Sequence, residues 1–119
     1  MVEFAIVLPV LLLLVLGLMQ FGIAYFHHLT VTDAVRAGAR QAAVSRELPD
    51  PAGTAEARVR AAATDLVQAD LDVDVTTGPG GWVQGEDVTV AASYPYDINL
   101  LGMVLYSGDL KSTTTERVE

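Results

Sequence analysis

The sequence predicts an α+β chain: a long N-terminal helix, apolar in its first half, joined to a small head with a second helix and a three-stranded antiparallel β-sheet. Three observations carry that expectation. Residues 4–26 contain no charged side chain. Through residues 27–47, apolar and small residues recur at three- and four-residue steps, the period of one helix face. Beyond residue 70 the period falls to two, as it does along a half-buried strand.

The first element opens MVEFAIVLPVLLLLVLGLMQFGIAYF. Its uncharged run spans 23 residues, Phe4 to Phe26. A helix needs about 20 apolar residues to cross the hydrocarbon of a bilayer, so this segment is expected to enter a membrane. A cleaved secretory signal would start with basic residues, carry a shorter apolar stretch and end at a small-residue cleavage site. Here the start is acidic, at Glu3, and no such site follows Gln20. Pro9 removes one backbone hydrogen bond, to the carbonyl of Ala5, and can kink the helix. In lipid such a proline is tolerated where neighbours or local rearrangement satisfy the freed group. Gly17 and Gly22 lack side chains and let another helix come close, although their spacing of five is not that of a GxxxG pair.

The next stretch, HHLTVTDAVRAGARQAAVSRE, places Val31, Val35, Ala39 and Ala42 on one helical face with Gly38 beside it. Asp33 precedes Arg36 by three, a favourable neighbour spacing. No helix breaker comes before Leu48-Pro49-Asp50-Pro51. One helix is therefore expected from near residue 3 to near residue 46, roughly 65 Å long, about twice the hydrocarbon thickness. Its first half would sit in lipid or in something equally apolar. Its second half would pack on the head through Val35, Gly38, Ala39 and Ala42. His27 and His28 are adjacent, so they point in different directions, whereas a helical metal pair wants a spacing of three or four. They read as polar residues where the helix leaves the bilayer.

In the head, residues 49–70 read as a second helix. Asp50 can cap it with Pro51 at the first position, or Thr54 can cap a later start. Val59, Ala62, Ala63, Leu66 and Val67 form its apolar face, and Glu56 precedes Arg60 by four. In DLDVDVTT, Leu71, Val73 and Val75 face one way and Asp70, Asp72 and Asp74 the other. GPGGW supplies a turn. In the following strand Val88, Val90, Ala92 and Tyr94 share a face, and Pro95 ends or edges it. Residues 97–109 read as mixed loop or short strand, and the β-branched LKSTTTERVE as a final strand. So small a core is marginal alone, so the long helix is expected to complete it.

Charge and composition narrow the function. Acidic and basic residues balance through residue 48, and the remainder carries the whole net charge of −8. An acidic head is a poor nucleic-acid binder, because phosphate affinity needs clustered Lys and Arg. The D-x-D-x-D run from Asp70 resembles the start of a calcium loop, but the positions that need Gly and Glu hold Val75 and Gly81. There is no cysteine, and no Gly-rich phosphate loop follows a strand. Neither an enzyme nor a cofactor or metal site is expected.

The run VEFAIVLPVLLLLVLGLMQFGIAYF resembles the TadE-like family of the tight-adherence (Tad) pilus system. The matching positions are Val2, Glu3, Phe4, Ala5, Val7 and Pro9, then Gly17, Phe21 and Gly22. The Ala-rich, Arg-containing stretch that follows in that family is similar to Ala34, Arg36, Gly38, Ala39 and Arg40, and its later V-T-V…Y-P-Y to Val88, Thr89, Val90, Tyr94, Pro95 and Tyr96.

The resemblance implies a type IV pilin-like fold and three parts. Residues 1–26 would be a transmembrane and filament-core helix, 27–48 its amphipathic continuation and 49–119 the acidic head. It implies a structural subunit of a Tad-type pilus, with assembly through Glu3, Phe4, Pro9, Gly17, Phe21 and Gly22. Partners would be copies of itself or other pilins, the membrane, a prepilin peptidase and the Tad secretion machinery. The subunit would first be a single-pass protein of the cytoplasmic membrane, head outside, and later part of a surface pilus. In such proteins a basic leader is removed and Glu is usually fifth; here Glu is third in the sequence. A carboxylate entering apolar surroundings must find a partner or lose its charge, and the resemblance offers the terminal ammonium of a neighbouring subunit to Glu3. Major Tad pilins are much shorter and almost headless, which favours a minor subunit. The alternative is a membrane-anchored binding module that never polymerises.

Overall fold

A computed structural model describes residues 1–100 and 102–119. The elements run α1 (Val2–Ala43), α2 (Pro51–Ala62), β1 (Asp72–Thr77), β2 (Asp87–Leu100) and β3 (Met103–Arg117). The sheet is antiparallel in the order β1-β2-β3, so the α+β layout is as expected. The molecule measures 71 × 22 × 18 Å. Its long dimension follows from α1, whose 42 residues span about 63 Å at 1.5 Å per residue.

α1 stays helical through Pro9 and ends at Ala43, a little before the expected residue 46. Ser45 causes the stop. Its hydroxyl donates to the carbonyl of Gln41, and Val44 N–H turns back to the same carbonyl at 3.3 Å. Such a local side-chain bond competes with the next helical turn. α2 begins as expected, with Pro51 in its first turn and the Asp50 carboxylate accepting from Gly53 N–H at 3.0 Å. It is shorter than the expected residues 49–70. The amide of Gln68 donates to Ala63 O at 2.8 Å and Arg60 Nη1 to Gln68 O at 2.9 Å, so polar side chains take carbonyls at its end. Ala62, the last residue of α2, and Val67, beyond its end, are exposed, while Ala55 joins Val59, Ala63 and Leu66 in the core.

Strand alternation holds. Leu71 is buried and Val73 and Val75 pack half-buried on the core, while Asp72 and Asp74 face solvent. Val88, Val90, Ala92 and Tyr94 of β2 are buried. In the second half of the sheet the structure decides between alternatives that the sequence leaves open. Of the two readings of Pro95, strand end or strand edge, the edge holds: β2 runs on to Leu100. β1 pairs with β2 only as far as Ser93, so beyond that point β2 has one neighbour, the edge situation that tolerates proline. Of mixed loop or short strand, strand holds for residues 97–109 as far as they are described, residue 101 lying outside the described residues: 97–100 and 103–109 are the ends of a β2–β3 hairpin, with Gly102 at φ +82° in its turn. Its register shifts after Ile98, leaving Leu105 as an extra residue in β3, a β-bulge that strengthens the local twist.

The core lies between α1 and α2 on one side and the sheet on the other, around Val31, Val35, Val59, Val88 and Val90. The chain end closes it. Val118 is buried, its N–H donates to Glu86 O at 2.8 Å, and Glu119 N–H donates to Ala43 O at 3.0 Å. The last residues are thereby tied to the end of α1.

Candidate functional site

α1 is built as two unlike halves. In the upper half, Val31, Ala34, Val35, Ala39 and Ala42 have no exposed surface. Gly38 lies where α1 and α2 approach most closely. A Cβ there would collide with Val59 Cγ2 and come within 3.3 Å of Ala55 O. The residues read as head-packing, Val35, Gly38, Ala39 and Ala42, all sit on this buried face. Small side chains let the two helices close on each other, and valines on α2 and β2 fill what remains.

In the lower half, the residues read as assembly positions are on the surface. Glu3, Phe4, Pro9, Phe21 and Gly22 are exposed and Gly17 is half-exposed. Phe4 and Phe21 keep 70% and 64% of their surface accessible. A Cβ on Gly17 or Gly22 would meet nothing within 4 Å, so the chain's own fold does not require glycine at either place. None of the most apolar window of α1 is buried inside the chain, and by length and composition the helix can cross a bilayer. A helix apolar all round belongs in a membrane or in the core of something larger.

Between the halves the sheet lies against the helix. The shielded positions of α1 step through Gly17, Gln20, Ala24 and His27 before reaching buried Val31. His27 meets the ring of Tyr94 edge-on, with centroids 5.6 Å apart. Tyr94 hydroxyl accepts from Val67 N–H at 3.3 Å and so ties this junction to the segment after α2. His28 lines a cleft of about 340 Å³ with Phe21, Ala24 and Tyr25 of α1 and Tyr96, Ile98, Tyr106 and Leu110 of the hairpin. Tyr96 and Tyr106 pack at 5.8 Å between centroids. Hydrogen bonding with Tyr106, some desolvation and the neighbouring phenol's charge hold the Tyr96 hydroxyl above its ordinary pKa. Tyr96 also covers Gly108, its partner across the ladder, with Cε1 3.2 Å from where a Cβ would stand. The two adjacent histidines thus diverge as expected, one onto Tyr94 and one into the cleft. Among the described residues no group of three His, Cys, Asp or Glu side chains could hold a metal ion.

Sequence reasoning missed this lower contact. The signal was present: residues 98–108, INLLGMVLYSG, are uncharged and lie between Asp97 and Asp109, with Gly102 as a hairpin punctuator.

Residues 1–40 match the family model described as TadE-like protein. That match spans the apolar half of α1 and most of its packing half, and stops before α2 and the sheet. The N-terminal region is thus TadE-like, a family associated with the Tad pilus. Comparison with curated proteins and with solved structures gave no match.

Proposed function

We propose that the chain is a structural pilin-like subunit of a Tad-type type IV pilus. It is inserted in the cytoplasmic membrane through α1 and assembled through the same helix, with a part in pilus assembly and surface adhesion. One observation carries this reading: the family-matching residues 1–40 include an apolar stretch, residues 4–16, that is exposed on every face of the helix. Such a surface must be covered, first by lipid and then by neighbouring helices as the subunit enters a filament. Prepilin peptidase and the Tad secretion machinery are the processing and export partners under this reading, and the acidic head faces outward.

Glu3 is the residue that recruits a subunit. The nearest basic side chain, Arg36, lies roughly 50 Å along the helix, so the partner of the carboxylate is a terminal ammonium of a neighbour. Glu3→Gln keeps the shape and removes the charge. Breaking one partner of a buried ion pair costs about 3–5 kcal/mol, so incorporation into sheared filaments is expected to fall by orders of magnitude at unchanged membrane level. Equal incorporation at equal membrane level would overturn the pairing role.

A second reading, an anchored module that never polymerises, is favoured by the hairpin. It shields one face of α1 from Gly17 to Val31 and leaves less of the helix for a filament neighbour. Mass spectrometry of purified filaments separates the two: absence of the chain with normal piliation supports the module.

A further inference from the structure

The β2–β3 hairpin descends alongside the apolar half of α1, and its tip is itself apolar. Tyr94 stands at the level of His27, whereas Tyr96 and Ile98 stand at the level of Phe21 and Ala24. The ribbon therefore runs antiparallel to the helix, towards Glu3. Leu100 and Met103 lie two rungs further along. At about 3.3 Å per residue that is roughly 7 Å, or about four helical residues, which brings the tip beside Gly17. Gly17 is where the shielding of the helix face begins.

The charge pattern changes across the ribbon at one height. Asp97 and Asp109 are exposed and lie within two rungs of each other, and Asp97 lines a cleft with Gln20 and Ile23. Towards the tip, no residue from 98 to 108 is charged. Met103, Val104, Leu105 and Tyr106 keep 64%, 58%, 59% and 58% of their surface exposed. Tyr25, Tyr96 and Tyr106 gather around the cleft just above, at the depth where aromatic rings mark a membrane interface. In water such a tip would be an exposed apolar patch that needs covering.

We propose that the hairpin tip is a second membrane element, dipping into the same bilayer leaflet that α1 leaves. The membrane surface then lies near Gln20 and Asp97 rather than at Phe26, and the tyrosines occupy the headgroup layer. The occupant is lipid because the tip is continuous with the apolar surface of α1 and ends at the same polar boundary. Its ladder pairing satisfies only the backbone groups that the two strands turn towards each other, and the outward-turned groups need water or headgroups, which keeps the tip shallow, at the interfacial edge of the leaflet. The head is consequently held at two points and cannot swivel freely about α1.

This inference rests on the reading of α1 as a membrane helix, and one experiment separates the two. The chain has no cysteine, so single cysteines can be introduced at Leu12→Cys in α1, Met103→Cys at the tip and Thr113→Cys on the exposed upper part of β3. Each full-length variant is labelled with an environment-sensitive fluorophore. It is then reconstituted at low protein-to-lipid ratio in vesicles of phosphatidylethanolamine and phosphatidylglycerol carrying nitroxide lipids. Quenching several-fold stronger at Leu12 and Met103 than at Thr113 is the expected result. Quenching at Leu12 alone would overturn the tip's insertion and leave the membrane helix standing. Quenching at neither would overturn both. A Met103 label shielded from water but not quenched by lipid would mean that another copy of the chain covers the tip, and would also overturn the proposal.

Discussion

Both halves of α1 are rich in apolar residues, yet their side chains differ in size and in fate. Residues 31–43 offer alanine, glycine and valine, and the face they form is buried by α2 and the sheet. Residues 4–16 offer leucine, valine, isoleucine and phenylalanine, and all are exposed. Gly38 is demanded by Val59, while Gly17 and Gly22 are demanded by nothing among the described residues. The difference separates two kinds of apolar surface. One is a joint with a partner already inside the molecule, and its small residues match that partner closely. The other is a surface whose partner is lipid or another chain.

If the upper half is a closed joint, the gravest damage comes from charge placed at its centre. Val90 of β2 has no exposed surface and lies in the cluster with Val31 and Val35. Val90→Asp buries a carboxyl group with no partner, and a loss of at least about 4 kcal/mol is expected, enough to unfold the head. Denaturant unfolding of the detergent-solubilised chain, followed through Trp82, measures it. An unchanged midpoint would mean that the strand faces are inverted.

Gly38→Val tests the fit itself. The added methyl groups must displace Val59 or push α2 away, and overpacking of this kind costs about 1–3 kcal/mol. The same unfolding measurement should show a lower midpoint with an unchanged slope. A variant as stable as the parent would break the contrast, because the upper half would then be as loosely partnered as the lower one.

A smaller effect is expected at the start of α2, which positions Ala55 and Val59 against α1. The Asp50 side chain accepts from Gly53 N–H at 3.0 Å, so Asp50→Ala removes an N-cap, with a loss of about 1 kcal/mol. Asp50→Asn keeps an acceptor and should restore most of it. If both variants match the parent, the cap contributes nothing and the Asp50 carbonyl, which accepts from Thr54 hydroxyl at 2.8 Å, is the group that matters.

How far these features could be read from sequence follows from how local their causes are. The apolar run, the stripe at Val31, Val35, Ala39 and Ala42, and the alternation from Leu71 to Val75 each follow from a period within one element. The Asp50–Pro51 start of α2 follows from residue chemistry alone. What escaped depended on distant neighbours. Pro95 reads as a strand end or a strand edge, and only the point where β1 stops pairing, Ser93, decides for the edge. INLLGMVLYSG shows no alternation of apolar and polar residues, so no period marks it as strand, and the helix face that Ile98 meets is far away in the sequence. Val67 fits the helical period but falls beyond Ala62, where the helix has already ended and Gln68 takes the Ala63 carbonyl. The candidate assembly residues were legible as a pattern shared with a family, while their exposure came only from the fold.

The smallest expected effect is the most informative about the lower half. Gly22→Ala adds a methyl group to an exposed position where nothing lies within 4 Å. In water, alanine in a helix interior is favoured over glycine by about 0.5–1 kcal/mol. In α1 that gain should bear on the free segment and not on the head, because residue 22 is not part of the core. Head unfolding should therefore match the parent, within the few tenths of a kcal/mol typical of surface changes. Glycine at this place then has its use, if any, outside the single chain, where another helix packs against it. The filament assay supplies the other half of the comparison. Reduced incorporation with unchanged head stability would identify Gly22 as a contact between chains. A destabilised head would show instead that the lower half of α1 is engaged by its own hairpin more closely than the open space around Gly22 allows, and the division of the helix into a closed and an open half would fail.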